Sequence, residues 1–216
     1  IGQAINNGNS AVSLTQIADK AMAEQSNILD IVKQKLLQAA TATTSSEGRK
    51  AIGKDIDKLL TQLNNIATQT NYNGIQLLQE TSTSTSASKA QTFQMGEKLA
   101  DTIALSAGIK SNTAGLTGMS SLKGSANAGT WSAGAARGHL ANVDSSIDKL
   151  NGWRSDVGST QNQLESALRN MMTQVTNVKA AESVIRDVDY AAESANFNKQ
   201  NIVSQAGTYA MSQANA

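Results

Sequence analysis

Hydrolysis by a Ser, His and Asp set needs one imidazole within reach of both a hydroxyl and a carboxylate. This chain offers a single candidate, His139, its only histidine. The nearest acid, Asp144, lies five residues along what reads as a helix and therefore off the face of His139. The simpler reading is a solvated His near a helix start. Asp187, Asp189 and Glu193 cluster further on, but they lack the glycine and the spacing of a calcium loop, and capping a helix suits Asp187 or Asp189 better. Glycines at 115, 118, 124, 129, 134 and 138 form neither a phosphate loop nor a dinucleotide fingerprint. With no Cys there is no thiol nucleophile, disulfide or zinc knuckle. The residues thus predict no enzyme, no metal and no cofactor.

Charge points the same way. Charged residues make up 16% of the 216, and the net charge is +1, where ordinary domains carry roughly 25% charged residues. Arg137, Arg154, Arg169, Lys179 and Arg186 are interspersed with Asp144, Asp148, Asp156, Glu165 and Glu182, as on a solvated or interhelical polar face. No nucleic-acid partner is expected. No window approaches the roughly 18 apolar residues of a membrane helix, so no membrane insertion is expected either. Near-neutrality removes the repulsion that keeps molecules apart, which favours self-association.

The elements that place these residues are read from periodicity. Leu140, Val143, Ile147, Leu150, Val157, Leu164, Leu168, Met171, Val175 and Val178 follow an alternating three-four spacing that fails only at Arg154 and Gln161. Such a seam predicts a helix of about 40 residues, roughly 60 Å long, seeking a partner helix. A second seam runs Ile52, Ile56, Leu59, Leu63 and Ile66, after a Ser/Thr stretch at Thr41 to Ser46 that can supply an N-cap. A third runs Leu14, Ala18, Ala21, Ile28, Val32 and Leu36, interrupted by Gln25. With only seven aromatics (two Trp, three Tyr, two Phe), the core must be built from aliphatic residues and Met. The fold class expected is mainly α, an elongated antiparallel coiled-coil-like bundle.

Residues 72–136 read differently. Asn73-Gly74 is a turn followed by Ile75 to Leu78, and Thr92 to Met95 and Thr102 to Leu105 are β-like, which predicts a small β-hairpin region at one end of the bundle. Thr81 to Ser88 and the Gly, Ser and Ala-rich run Gly108 to Arg137 are expected to be exposed loops, with Ser and Thr at 81–88 and 111–132 open to O-glycosylation. The organisation expected is N-terminal core helices over 1–71, a β and loop region over 72–136, a long helix over 137–184, and a further helix from 185 to 216 with small Ala faces. That last segment reads as half of an interface.

Gln3 to Asn9 with Ala11-Val12-Ser13-Leu14, Ala18 to Met22 and Asn27-Ile28-Leu29 resemble the first core helix of bacterial flagellin. Ile66 to Leu78, with Thr70-Asn71-Tyr72-Asn73-Gly74, is similar to the family's turn into its β region, and Phe93 to Gly96 to a strand there. Towards the C-terminus the resemblance extends through Arg154 to Gly158, Gln161-Asn162, Ile185 to Tyr190, Ala192-Glu193, Gln205 to Gly207 and Ser212 to Asn215. The chain resembles a compact flagellin core trimmed at both ends, with no long insertion between Gly96 and Arg137.

The resemblance implies a structural subunit that polymerises into the extracellular flagellar filament for motility. It implies two further partners. A flagellar export chaperone would capture the C-terminal segment, through Ile185, Val188, Tyr190, Phe197, Ile202 and Val203. The host toll-like receptor for flagellin would face Leu29, Asp30, Ile31, Val32 and Lys35, with Asp55 opposite. Stimulatory flagellins read Leu-Gln-Arg-Val-Arg-Glu-Leu there with a facing Glu, so Ile31 and Lys35 predict a weak interaction. The alternatives are a hook-filament junction protein and, in a different class, a chemoreceptor-like signalling hairpin. The latter would want mirrored heptad arms and a membrane span.

Overall fold

The computed structural model describes residues 1–79, 81, 83, 88, 90–105, 108–128, 131–186 and 190–214. Five helices are defined: α1 (Gly2–Ala40), α2 (Ser46–Gln69), α3 (Met119–Asn127), α4 (Ala133–Arg186) and α5 (Tyr190–Ala214). Two antiparallel hairpins lie between α2 and α3: β1 (Asn71–Tyr72) with β2 (Ile75–Gln76), and β3 (Gln91–Gln94) with β4 (Thr102–Leu105). The fold is mainly α, as the periodicity requires. The chain divides into two compact units, Ile1–Met171 and Met172–Ala216.

Within the first unit, salt bridges and packing fix the helix directions. Lys33 meets Asp144 at 2.6 Å, Asp19 meets Arg154 at 2.9 Å, and Gly8 sits against Leu168. As α1 numbers fall, α4 numbers rise, so these helices are antiparallel. Lys35 with Asp55 and Gln25 with Leu63 set α1 against α2 in the same sense. The turn between α1 and α2 ends at Ser45, whose side chain accepts from the Gly48 N–H and so satisfies one orphan donor of α2.

One core cluster runs from Leu14 through Met22, Leu29 and Leu36 of α1, Ile56, Leu60 and Leu63 of α2, and Val143, Leu150 and Val157 of α4. A second gathers Ala11, Met95, Leu164, Leu168 and Met171 where the β3–β4 hairpin lies on α1. The seams need adjustment. In α2 the buried residue is Leu60, while Leu59 is only partly covered. In α4, His139 and Ser146 are buried one position before the expected Leu140 and Ile147, which are only partly covered, and Thr160 is buried just before Gln161, where the expected seam fails. Trp153 likewise packs on the core beside Arg154, and Arg154 instead bonds Asp19. Val178 is exposed. Gln25 does not break the α1 seam: it is fully buried and donates from Nε2 to the carbonyl oxygens of Leu63 and Ser111, at 3.0 and 3.1 Å.

The expected loop from Gly108 to Arg137 is largely structured. Ile109, Ser111, Asn112, Thr113 and Leu116 are buried, and α3 covers the core with Met119, Leu122 and Ala126. Asn64 holds the incoming segment, donating to Thr113 Oγ1 at 3.0 Å and accepting from the Thr113 N–H at 2.8 Å. Ser88, Ser111 and Thr113 are therefore closed to glycan attachment, whereas Thr81, Thr117, Ser120 and Ser121 are exposed. Gly53 lets α3 approach α2: a Cβ there would stand 3.0 Å from the Ala126 carbonyl oxygen. Gly53→Val should lower stability by about 2 kcal/mol through overpacking. A fall in the urea midpoint with an unchanged slope is the expected reading. A midpoint at or above the wild-type value would contradict this packing.

His139 is buried, 9% exposed, and not the solvated residue expected, because α3 folds over it. Its Nε2 lies 3.3 Å from Ser125 Oγ, and its ring centroid is 6.3 Å from that of Trp131. Trp131 in turn donates to the Ser125 carbonyl and accepts from Arg49. Burial pushes the His139 pKa below its ordinary value. The unfolded chain therefore takes up this proton more readily, so stability is full above about pH 6.5 and falls as the pH drops through the depressed folded pKa. Urea titrations at pH 7 and pH 5.5 should show a drop in wild type that is smaller in His139→Gln. Equal drops would exclude His139 as the source.

Candidate assembly surface

Chemistry is not assembled around the sequence candidates. Ser125 does approach His139, yet among the described residues His139 Nδ1 has no hydrogen-bond partner and no carboxylate orients the ring. No group of three or more His, Asp or Glu residues that could hold a metal occurs among the described residues. Asp187, Val188 and Asp189 lie outside the described residues. No described helix is long and apolar enough to cross a membrane.

Surface is what remains, and α5 is one part of it. None of its residues is buried. Tyr190, Phe197, Ile202, Val203, Tyr209 and Met211 are all exposed, with Phe197 at 66% and Ile202 at 65%. Ile185, near the end of α4, is exposed as well. Tyr190 and Phe197 are seven residues apart on one side of the helix, while Ile202 and Tyr209, also seven apart, lie roughly 120–140° around it. A helix with apolar side chains on several sides is one that is surrounded when buried. The sequence reading of small Ala faces understates this, since the large residues are distributed around the whole circumference.

The second surface lies on α1 and α2, and the structure divides its six candidates. Asp30, Ile31 and Asp55 are exposed and Lys35 is half-buried. Leu29 and Val32 are fully buried and belong to the core, because heptad spacing turns them towards α2 and α4. Lys35 Nζ is 3.0 Å from Asp55 Oδ2. Next to it, Lys33 bonds Asp144 of α4, and the hydrogen bond and charge of Asp144 raise the Lys33 pKa. Both lysines are thus tied to carboxylates on neighbouring helices, a pairing that the sequence spacing did not show.

A bundle of long helices that leaves one helix apolar on several sides has the form of a protein that packs against others. Residues 1–83 match the bacterial flagellin N-terminal helical region and residues 140–216 the bacterial flagellin C-terminal helical region. The chain is 31% identical to flagellin of Bacillus subtilis (strain 168) over 232 residues, covering 98% of this chain and 76% of that protein. To flagellin A of Helicobacter pylori it is 56% identical over 82 residues, 37% of this chain and only 16% of that protein. The crystal structure of Bacillus cereus flagellin superposes with a TM-score of 0.62 at 29% identity, covering 82% of this chain and 94% of that one. This chain belongs to the bacterial flagellin family.

Proposed function

We propose that the chain is a structural subunit of the bacterial flagellar filament, working outside the cell by polymerising through its helices, with no catalytic role. The observation that carries this reading is α5, a helix of 25 residues with none buried and apolar side chains on several sides. Neighbouring subunits in a filament supply the surroundings that such a helix lacks. A cell whose only flagellin is this protein should build filaments and swim. Bare, non-motile cells that nonetheless secrete the subunit would refute the reading.

The same segment suits capture by an export chaperone before assembly, by way of Ile185, Tyr190, Phe197, Ile202 and Val203 in a helix-in-groove mode. A pull-down with immobilised chaperone should lose the subunit when residues 185–216 are deleted; equal retention would exclude the site. Towards the host toll-like receptor for flagellin, the α1–α2 surface is a weak partner. Ile31 offers no donors, and Lys35 and Asp55 are engaged with each other.

A further inference from the structure

Along α2, Lys50, Lys54 and Lys58 recur every fourth residue, which sets them on one face with about 6 Å of rise between neighbours. All three are exposed. With Asp57, Ala126 and Asn127 they line a groove of about 180 Å³ between α2 and α3. Lys123 extends the row from α3, its Nζ 2.9 Å from Thr61 Oγ1. Lys33 and Lys35 are paired with carboxylates, but Lys50, Lys54 and Lys58 join no ion pair among the described residues. Like charges at this spacing work against the helix that bears them. The row is therefore a local departure in a chain whose net charge is only +1.

We propose that this lysine row is a docking surface for a linear acidic polysaccharide, held by its sulfate or carboxylate groups. Evenly spaced ammonium groups match a polymer with evenly spaced anions, and the Asn127 amide adds a donor at the groove. A nucleic acid would want aromatic faces for stacking, yet the neighbouring Trp131 is buried. A bilayer would want apolar side chains to insert, yet Ile52 and Ile56 of the same helix point into the core. Asp57, half-buried in the groove, opposes the row and keeps the attraction weak and dependent on charge spacing.

Fluorescence anisotropy with a labelled heparin oligosaccharide tests this. Wild type should bind at low salt, with a log–log salt slope of about three for three engaged lysines. The triple variant Lys50→Gln, Lys54→Gln, Lys58→Gln should bind at least about tenfold more weakly. Gln and Lys have similar helix propensity, so circular dichroism should be unchanged; if it is not, the double variant Lys50→Gln, Lys58→Gln is read the same way. The variant Lys20→Gln, Lys98→Gln, Lys110→Gln makes the same change in net charge elsewhere and should lose less than about twofold. No heparin binding by wild type, equal losses in the two triple variants, or tighter binding to single-stranded DNA or to anionic phospholipid vesicles would each overturn the proposal.

Discussion

Subunits carrying Phe197→Asp and Ile202→Asp are expected to make no filament. The two side chains are exposed in the single chain and sit roughly 140° apart around α5, so a neighbour covering one leaves the other for a second neighbour. Burying an aliphatic or aromatic side chain of this size contributes about 1.5–3 kcal/mol. Burying an unpaired carboxylate in its place costs several kcal/mol more. Since every subunit in a polymer repeats the loss at each of its contacts, association should fall below what any practical concentration can restore. Because α5 has no buried residue of its own, the urea midpoint of the Ile1–Met171 unit should not move. Purified subunit added to filament seeds separates this failure from a defect in export. Elongation at the wild-type rate would show that α5 is not an assembly surface.

Signalling through the host receptor should rise about tenfold or more in Ile31→Arg with Lys35→Leu, from a weak wild-type level. The exposed part of this surface reduces to Asp30, Ile31, Lys35 and Asp55, because Leu29 and Val32 are in the core. An Arg at 31 would supply a planar fork of donors that no residue now offers there. A Leu at 35 would replace a hydrated charge with an apolar anchor and release the Asp55 carboxylate from its bond at 3.0 Å. Leu29 and Val32 stay as they are, so the bundle should melt as before. A cell reporter assay on both proteins gives the comparison. Strong signalling by the wild type, at the level of a stimulatory flagellin, would defeat the expectation.

The helices were legible because aliphatic residues at three-four spacing have few other ways to be buried. Positions filled by polar or small residues were not. His139 and Ser146 face inward against α3 and the chain leading into it: His139 Nε2 lies 3.3 Å from Ser125 Oγ, and Ser146 Oγ lies 2.8 Å from the Asn142 carbonyl and 3.3 Å from the Thr117 carbonyl. Thr160 is buried further along α4, where its hydroxyl donates to the Asp156 carbonyl at 2.9 Å. The helix α3 itself was hidden by its Gly and Ser content, although Met119, Leu122 and Ala126 at three and four residue spacing mark its buried face. The family resemblance likewise assigned Leu29 and Val32 to the receptor-facing surface, although Val32 also stands in the α1 seam, and both are buried in the core. Exposed positions leave little trace in a single sequence: nothing in the spacing of Lys35 and Asp55 announces an ion pair twenty residues apart.

The buried amide of Gln25 bears on the alignment of α1 against α2. A bundle of heptads has neighbouring alignments, one repeat up or down, that bury nearly the same apolar area. Hydrophobic contact alone would let α1 creep past α2 under shear. Gln25 Nε2 reaches the Leu63 and Ser111 carbonyl oxygens together in one alignment; any slip strands a donor where there is no water to receive it, at a cost of about 1–3 kcal/mol. The amide works as a detent that holds α1 in a single alignment against α2 within the Ile1–Met171 unit.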